Sequence, residues 1–294
     1  MQPLVSVIII SYNHSKFIKE CLDSLLAQTY KNWELIIADD ASKDNSVEVF
    51  NEWLAENKVT AEKTYNPKNL GLCKTLNACI VKAKGKYTKL IAADDMMLPQ
   101  SLENGVIALE QMPDDYGMVY ANSGFINEKS ERKEENLIAD MAKMPEGWVY
   151  ERLMHGNFIP ALTTVIKTDV FKQLGGFDEN ILTEDYEYWL RLSKKYRIAA
   201  LPEVLALYRI HGNNISLSHN INDDVIRIMI KHDDDKKFSK NIKKAVRNSY
   251  FLKTVSPKLV ADYNNYTGKD KWLSLSLNKN LPYKFFRIFD KLKW

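Results

Sequence analysis

An α/β protein, with a mostly parallel sheet covered by helices on both faces, is what this sequence predicts, and three observations predict it. Strand-like and helix-like segments alternate from residue 5 to residue 91. The first of them, Val5-Ser-Val-Ile-Ile-Ile10, is a continuous apolar, β-branched run of the kind buried on both faces of a sheet. Acidic pairs, Asp39-Asp40 and Asp94-Asp95, stand just beyond two such runs, where open parallel sheets bind their ligands.

Each element follows from its own pattern. Residues 15–28 place Phe17, Ile18, Cys21, Leu22, Leu25 and Leu26 at helical spacing. Residues 34–38 form the second strand. Asp44 or Asn45 can cap the next helix, which carries Val47, Val49, Phe50, Trp53 and Leu54. A polar strand at 61–65, a helix at 72–83 and a strand at 87–91 complete a βαβαβαβ order, which implies parallel pairing. A helix at 99–112 and a strand at 117–121 come next, and the charged stretch 127–136 reads as a mobile loop. A second block, 148–211, holds a strand at 163–167, Gly175-Gly176-Phe177-Asp178, a helix opening at Glu184 and Tyr208-Arg-Ile-His211. From Asn222 the pattern is helical. The expected division is therefore residues 1–219 and a basic helical region, 220–294.

Composition narrows the class. With 294 residues, 45% apolar and 27% charged, and 15 Tyr, 11 Phe and 6 Trp, the chain can bury a large core. Cys21, Cys73 and Cys79 make neither an even disulfide set nor a CxxC pair, so reduced thiols in a reducing, cytoplasmic compartment are expected. The apolar run at 4–10 lacks a basic flank, and no stretch approaches the ~20 residues of a membrane span. The net charge of +3 is unevenly distributed: from Ile221 onward 17 Lys/Arg face 8 Asp/Glu, while the first 220 residues hold 24 basic and 30 acidic residues. The acidic first 220 residues argue against a nucleic-acid binder with a broad phosphate-binding face. Within the tail, Phe285, Ile288, Phe289 and Leu292 share one helical face, with Lys284, Arg287 and Lys291 on another. Such a helix can rest on an anionic membrane or dock its apolar stripe onto the rest of the chain.

Chemistry is expected at the strand ends. Adjacent carboxylates such as Asp94 and Asp95 repel and lose solvation, and a divalent cation, Mg²⁺ or Mn²⁺, compensates both. Asp39 can accept a hydrogen bond from a uracil imide or a ribose hydroxyl. Ser11, Tyr12 and Asn13 follow the first strand and face the same region. Asp185 opens an amphipathic helix, Thr183-Glu-Asp-Tyr-Glu-Tyr-Trp-Leu-Arg-Leu192, in which Thr183 and Glu184 also read as plain capping. The aromatics beside those acids, Trp189 among them, can form a sugar-facing wall. His211 is either structural or completes a metal site with the aspartates.

Taken together, these segments resemble the inverting glycosyltransferases of family 2, which use the GT-A fold. The matching stretches are Val5-Ser-Val-Ile-Ile-Ile-Ser-Tyr-Asn13, Ile36-Ile-Ala-Asp-Asp-Ala-Ser-Lys-Asp44, Asn69-Leu-Gly71, Asn77, Ala83-Lys-Gly-Lys-Tyr87, Ala93-Asp94-Asp95, Gly176-Phe-Asp178, Glu184-Asp185 and Tyr208-Arg-x-His211. The resemblance implies that Tyr12 stacks on the donor base, with Ser11, Asn13 and Asp39 beside it. It assigns the metal and ribose to Asp94 and Asp95, places His211 near metal and diphosphate, and makes Asp185 the catalytic base. Glu184 and Trp189 would contact the acceptor. Two departures stand out. Many members read Asp-x-Asp-Asp where this chain has Ala92-Ala-Asp-Asp, and many place an arginine where it has Leu76, so Lys74 is the candidate for that positive charge. The implied donor is a nucleotide sugar, with UDP the expected nucleotide. The implied acceptor is a glycan or a lipid-linked glycan in surface polysaccharide or lipopolysaccharide synthesis, reached from the inner face of the membrane. A sugar-nucleotide nucleotidyltransferase would want a Gly- and Arg-rich phosphate loop, and a dehydrogenase GxGxxG; Ser11-Tyr-Asn-His-Ser15 supplies neither. A non-catalytic nucleotide-sugar-binding relative is the other alternative.

Overall fold

The computed structural model describes residues 2–138, 144–212, 214, 221–251 and 255–267. The chain runs β1 (Val5–Ser11), α1 (Ile18–Leu26), β2 (Trp33–Asp39), α2 (Ser46–Asn57), β3 (Ala61–Tyr65), α3 (Leu72–Ile80), β4 (Tyr87–Ala92), β5 (Met96–Met97), α4 (Ser101–Gln111), β6 (Tyr116–Ile126) and β7 (Arg132–Asn136). It continues through α5 (Tyr150–Leu153), β8 (Val165–Lys167), α6 (Thr168–Leu174), α7 (Glu184–Ser193) and β9 (Arg197–Arg209). Helices α8 (Ile221–His232), α9 (Ser239–Phe251) and α10 (Pro257–Thr267) follow. The sheet order is β3-β2-β1-β4-β8-β6-β9-β5, with β7 on the flank of β6.

All seven residues of β1 are buried, and their alternation divides the core in two. Val5, Val7 and Ile9 point into the layer built with Ile18, Leu22 and Leu25 of α1 and Phe50 and Trp53 of α2. Ile8 and Ile10 point the other way, into a layer with Leu76 of α3 and Tyr188, Trp189 and Leu192 of α7. A strand buried on both faces therefore needs the unbroken apolar run that the sequence shows. The first four strands pair in parallel, as expected, in registers that bring Ser11 beside Asp39 and Ile10 beside Ala92. Beyond β4 the pairing becomes mixed: β8 is antiparallel to both β4 and β6, and β9 is parallel to β6.

Stretch 127–136, expected as a mobile loop, instead holds a turn followed by β7, paired antiparallel with β6. Its residues, Arg-Lys-Glu-Glu-Asn, are polar and exposed on both faces, so no apolar alternation marks them as a strand. Helix α2 begins as foreseen, but Asn45 makes no capping bond. Asp44 does the capping through Oδ1, which accepts the Ser46 N–H at 3.1 Å.

Helices α8 to α10 dock onto the sheet layer containing α7: Ile226, Met229, Ile242, Val246 and Leu259 belong to the same apolar cluster as Ile8 and Ile36. Asp224 of α8 accepts the backbone N–H groups of Leu182 and Thr183 at 2.8 and 2.9 Å, fastening the entrance to α7. Glu187, fully buried on α7, accepts from Arg191 Nε at 2.8 Å, Lys231 Nζ at 2.8 Å and His232 Nε2 at 3.2 Å. The amphipathic stretch 283–294 lies outside the described residues. Among those described, no helix is long and apolar enough to cross a membrane.

Burial works against ionisation of Glu187, but the hydrogen bonds from His232 and Lys231 and the charge of Arg191 outweigh it, holding its carboxyl at about 2. A depressed carboxylate contributes stability that is present above the unfolded value near 4.5 and lost as pH falls toward 2. Glu187→Ala is expected to cost roughly 1–3 kcal/mol in urea denaturation at pH 7, because it strands partly buried donors. The difference from wild type should shrink as the pH falls below 4.5; a constant difference would contradict the assignment.

Candidate active site

Each strand end contributes a different group. After β1 the chain turns through Asn13, whose φ of 59° lies in the left-handed region that asparagine tolerates. The turn is pinned to the loop after β2: Asn13 N donates to Ser42 Oγ at 2.8 Å, and Asn13 Oδ1 accepts from Lys43 N at 2.7 Å. Ser15 N and His14 N donate in turn to Asp44 Oδ2 and Ser46 Oγ. Asn13 thus uses its side chain to hold two loops together, while Tyr12 stands 40% exposed. Ser11 Oγ is buried without a hydrogen-bond partner.

The acidic pairs divide their work. Asp40 accepts four donors, Asn66 Nδ2, Leu70 N, Gly71 N and Thr75 Oγ1, all within 3.0 Å, and so ties the Asn69-Leu-Gly71 turn to β2. Asp39 accepts only from Ser42, through N at 2.8 Å and Oγ at 2.6 Å. Asp95 Oδ1 accepts the Arg209 backbone N–H at 2.8 Å. Burial, and then the charge of Asp94, push the Asp95 carboxyl well above the usual carboxylate range. Burial also pulls neighbouring Lys89 down to about 7.

Asp94 is arranged differently. Its Oδ2 lies 2.9 Å from His211 Nε2, and its Oδ1 faces His14 Nδ1 across 3.6 Å. Neither of the latter two atoms has a hydrogen-bond partner among the described residues, although both are buried. The ligand atoms of His14, Asp94 and His211 all lie within 4.8 Å of one another. Burial holds His14 below its ordinary value despite the opposing charge of Asp94, which favours the neutral imidazole. A buried carboxylate oxygen without a donor, facing imidazole nitrogens, suits a divalent cation. Asp95 lies outside this cluster.

Arg209, fully buried at the end of β9, organises the surroundings. Its Nε donates to the Asp94 carbonyl at 2.6 Å, Nη1 to Asn127 O and Ser130 Oγ, and Nη2 to Glu20 Oε2 at 2.6 Å. Its guanidinium covers the Phe17 ring at 4.6 Å, and that ring in turn packs on His211 at 5.3 Å.

A cavity of about 800 Å³ opens beside this cluster. Asp95 is on one wall, and Glu184, Asp185 and Trp189 of α7 are on another. Asp185 Oδ1 accepts the Tyr186 N–H at 2.7 Å and Oδ2 accepts Asn157 Nδ2 at 3.0 Å, which orients the carboxylate. Burial raises the Asp185 carboxyl. Glu184 is pushed up to about 8, by burial first and by the charge of Asp185 second, so at neutral pH Glu184 carries the proton. Trp189, one turn beyond Asp185, has a buried Nε1 with no partner. Lys74 is half-exposed on α3, and its ion-pair partner is Glu179 at 3.9 Å.

Residues 6–168 match the model of glycosyl transferase family 2. The chain belongs to that family. An uncharacterized glycosyltransferase of Rickettsia prowazekii is 32% identical to this family 2 glycosyltransferase over 219 residues, covering 71% of this chain and 65% of the relative. The chain thus spans just under two thirds of the length of the Rickettsia typhi and Rickettsia prowazekii relatives it matches. Among solved structures, Staphylococcus aureus TarS 1–349 in complex with UDP-GlcNAc superposes with a TM-score of 0.61 at 15% identity, covering 94% of this chain and 92% of that one. The mannosyltransferase PcManGT of Pyrobaculum calidifontis, in complex with GDP-Man and Mn²⁺, gives 0.61 at 16%, covering 97% and 83%. These two likenesses show the GT-A fold.

Three residues of the site were not singled out from the sequence. His14 went unnoticed, though a histidine three residues beyond a buried strand end was the available signal. Arg209 was only part of a motif, and Asn157, in an irregular segment, gave no signal. The division between Asp39 and Asp40 yields a test. Asp40→Ala should destabilise the fold by roughly 1–3 kcal/mol, since it leaves several donors unpaired. Asp39→Ala should keep the thermal midpoint close to wild type and lose stabilisation by added nucleotide. The reverse pattern in a thermal-shift assay would exchange the two roles.

Proposed function

We propose that this family 2 glycosyltransferase moves a sugar, with inversion, from a nucleoside diphosphate donor, UDP-linked by expectation, to a hydroxyl of a glycan or lipid-linked acceptor. The observation that carries this reading is that one cavity is lined both by the oriented carboxylate of Asp185 and by Asp95, the neighbour of Asp94 just beyond β4. Tyr12 would stack on the donor base, with Asp39 and Ser11 beside it, and Asp94 and His211 would hold a divalent ion. When bound, that ion neutralises the diphosphate and stabilises it as it leaves.

The chain's own residues do the rest. Asp185, fixed by Asn157 and by the Tyr186 N–H, accepts the proton of the acceptor hydroxyl while that oxygen bonds to the anomeric carbon and the bond to the diphosphate breaks. A single displacement inverts the centre and needs no protein nucleophile. Protonated Glu184 spares the site a second negative charge and can donate a hydrogen bond to a sugar oxygen. Trp189 would present an aromatic wall to the acceptor. TarS bound to UDP-GlcNAc and PcManGT bound to GDP-Man and Mn²⁺, both of this fold, support a nucleotide sugar as donor and a metal beside it. A role in surface polysaccharide or lipopolysaccharide synthesis, at the inner face of the membrane and with the basic tail touching its surface, is part of the same proposal.

Two measurements test it. In a panel of UDP-, GDP- and dTDP-sugars with Mn²⁺ or Mg²⁺, one nucleotide class should stabilise the protein and release nucleoside diphosphate. Asp185→Asn should lower turnover by about 10²–10⁴ while keeping that stabilisation. Because the base must be ionised, the wild-type rate should fall on the acid side through a pKa above the ordinary 3.8. An Asp185→Asn enzyme with wild-type turnover, or an acid limb at or below 3.8, would remove Asp185 from the mechanism.

A further inference from the structure

We infer that His14 is a third protein ligand of the divalent ion, making the site two imidazoles and one carboxylate and biasing it toward Mn²⁺ and later transition ions over Mg²⁺. The inference rests on the preceding assignment of the ion to Asp94 and His211, and it adds a residue and a selectivity to it.

Two orphaned atoms carry the inference. Asp94 Oδ1 and His14 Nδ1 are both buried, face one another at 3.6 Å and have no hydrogen-bond partner among the described residues. A 3.6 Å gap is too long for a hydrogen bond between them. It suits two donors that share an ion: with metal–ligand distances of about 2.0–2.2 Å, neighbouring ligands stand about 3–3.6 Å apart. The separation of 2.9 Å between Asp94 Oδ2 and His211 Nε2 is close to the same range, and all three groups converge within 4.8 Å. One ion would therefore satisfy a carboxylate oxygen and an imidazole nitrogen that are buried and have no partner among the described residues.

The backbone prepares His14 for this role. His14 N donates to Ser46 Oγ at 3.2 Å, and His14 O accepts from Phe17 N at 2.8 Å, so the loop is tied to the starts of both α1 and α2. The left-handed Asn13 turns the chain just before it. The imidazole contacts the His211 ring edge-on at 6.0 Å.

Ligand chemistry sets the selectivity. Oxygen donors alone suit Mg²⁺, whereas imidazole nitrogen favours transition ions. Two imidazoles therefore move the preference away from Mg²⁺ further than His211 alone would. Three protein donors also leave the remaining positions of a six-coordinate ion to diphosphate oxygens and water.

The test uses the full chain and Mn²⁺ alone, with no donor, acceptor or turnover. Pulsed EPR of bound Mn²⁺ counts coordinated imidazole nitrogens, and titration followed by free-Mn²⁺ EPR gives affinity. Wild type should show two imidazoles. His14→Ala and the volume-preserving His14→Gln should show one, with Mn²⁺ affinity lower by at least about tenfold, the loss typical even of groups one shell out. Mg²⁺ should compete with Mn²⁺ better in both variants than in wild type. A single imidazole in wild type, removed by His211→Ala, would overturn the His14 assignment and leave the Asp94–His211 site standing. No imidazole in wild type would overturn both. The wild-type count decides the question even if a His14 variant fails to fold.

Discussion

Everything at this site depends on holding two adjacent buried carboxylates, Asp94 and Asp95, just beyond β4 while leaving one of them facing the imidazoles. Arg209 solves that problem without touching the Asp94 carboxylate. Its backbone N–H takes Asp95, its Nε takes the Asp94 carbonyl, and its guanidinium charge goes to Glu20. The Asp94 side chain is left to His14 and His211. Because Arg209 ends β9 and Glu20 lies on α1, this one residue also ties distant segments together around the His14–Asp94–His211 cluster. The Phe17 ring, between the guanidinium and His211, extends the lock to the imidazole.

The same division recurs in each acidic pair. Asp40 is consumed by four donors of the fold, while Asp39 keeps only local contacts with Ser42. Asp95 serves the backbone of β9, while Asp94 faces the imidazoles. Glu184 takes the proton, leaving Asp185 as the anion. In each pair, one carboxyl is held by the fold or its burial favours the protonated form, while its neighbour keeps fewer contacts.

Much of this was legible in the sequence, for identifiable reasons. A strand buried on both faces has to be apolar throughout, so β1 and β2 declared themselves, and the parallel order followed from the alternation with helices. Asp94, Asp185 and His211 stood out because charged or titratable groups at element ends are conspicuous. What escaped were features made by non-local pairing. β7 is polar on both faces and is a strand only because β6 lies beside it. The roles within Asp39-Asp40 and Asp94-Asp95 depend on donors from residues 66–75 and 209, which no local pattern reveals. His14 becomes notable only when the β1 turn brings it opposite Asp94, 80 positions away in the chain. The apolar cluster shared by α8 to α10 and the sheet is likewise a product of tertiary packing.

The most direct measurement is a crystal structure with UDP and Mn²⁺, using anomalous scattering to place the ion. The account predicts a single anomalous peak within coordination distance of Asp94 and His211, with the base against Tyr12 and the diphosphate directed toward the cavity that Asp185 lines. A peak remote from Asp94, or a nucleotide seated away from Tyr12 with Asp185 on the far side of the protein from it, would contradict the account.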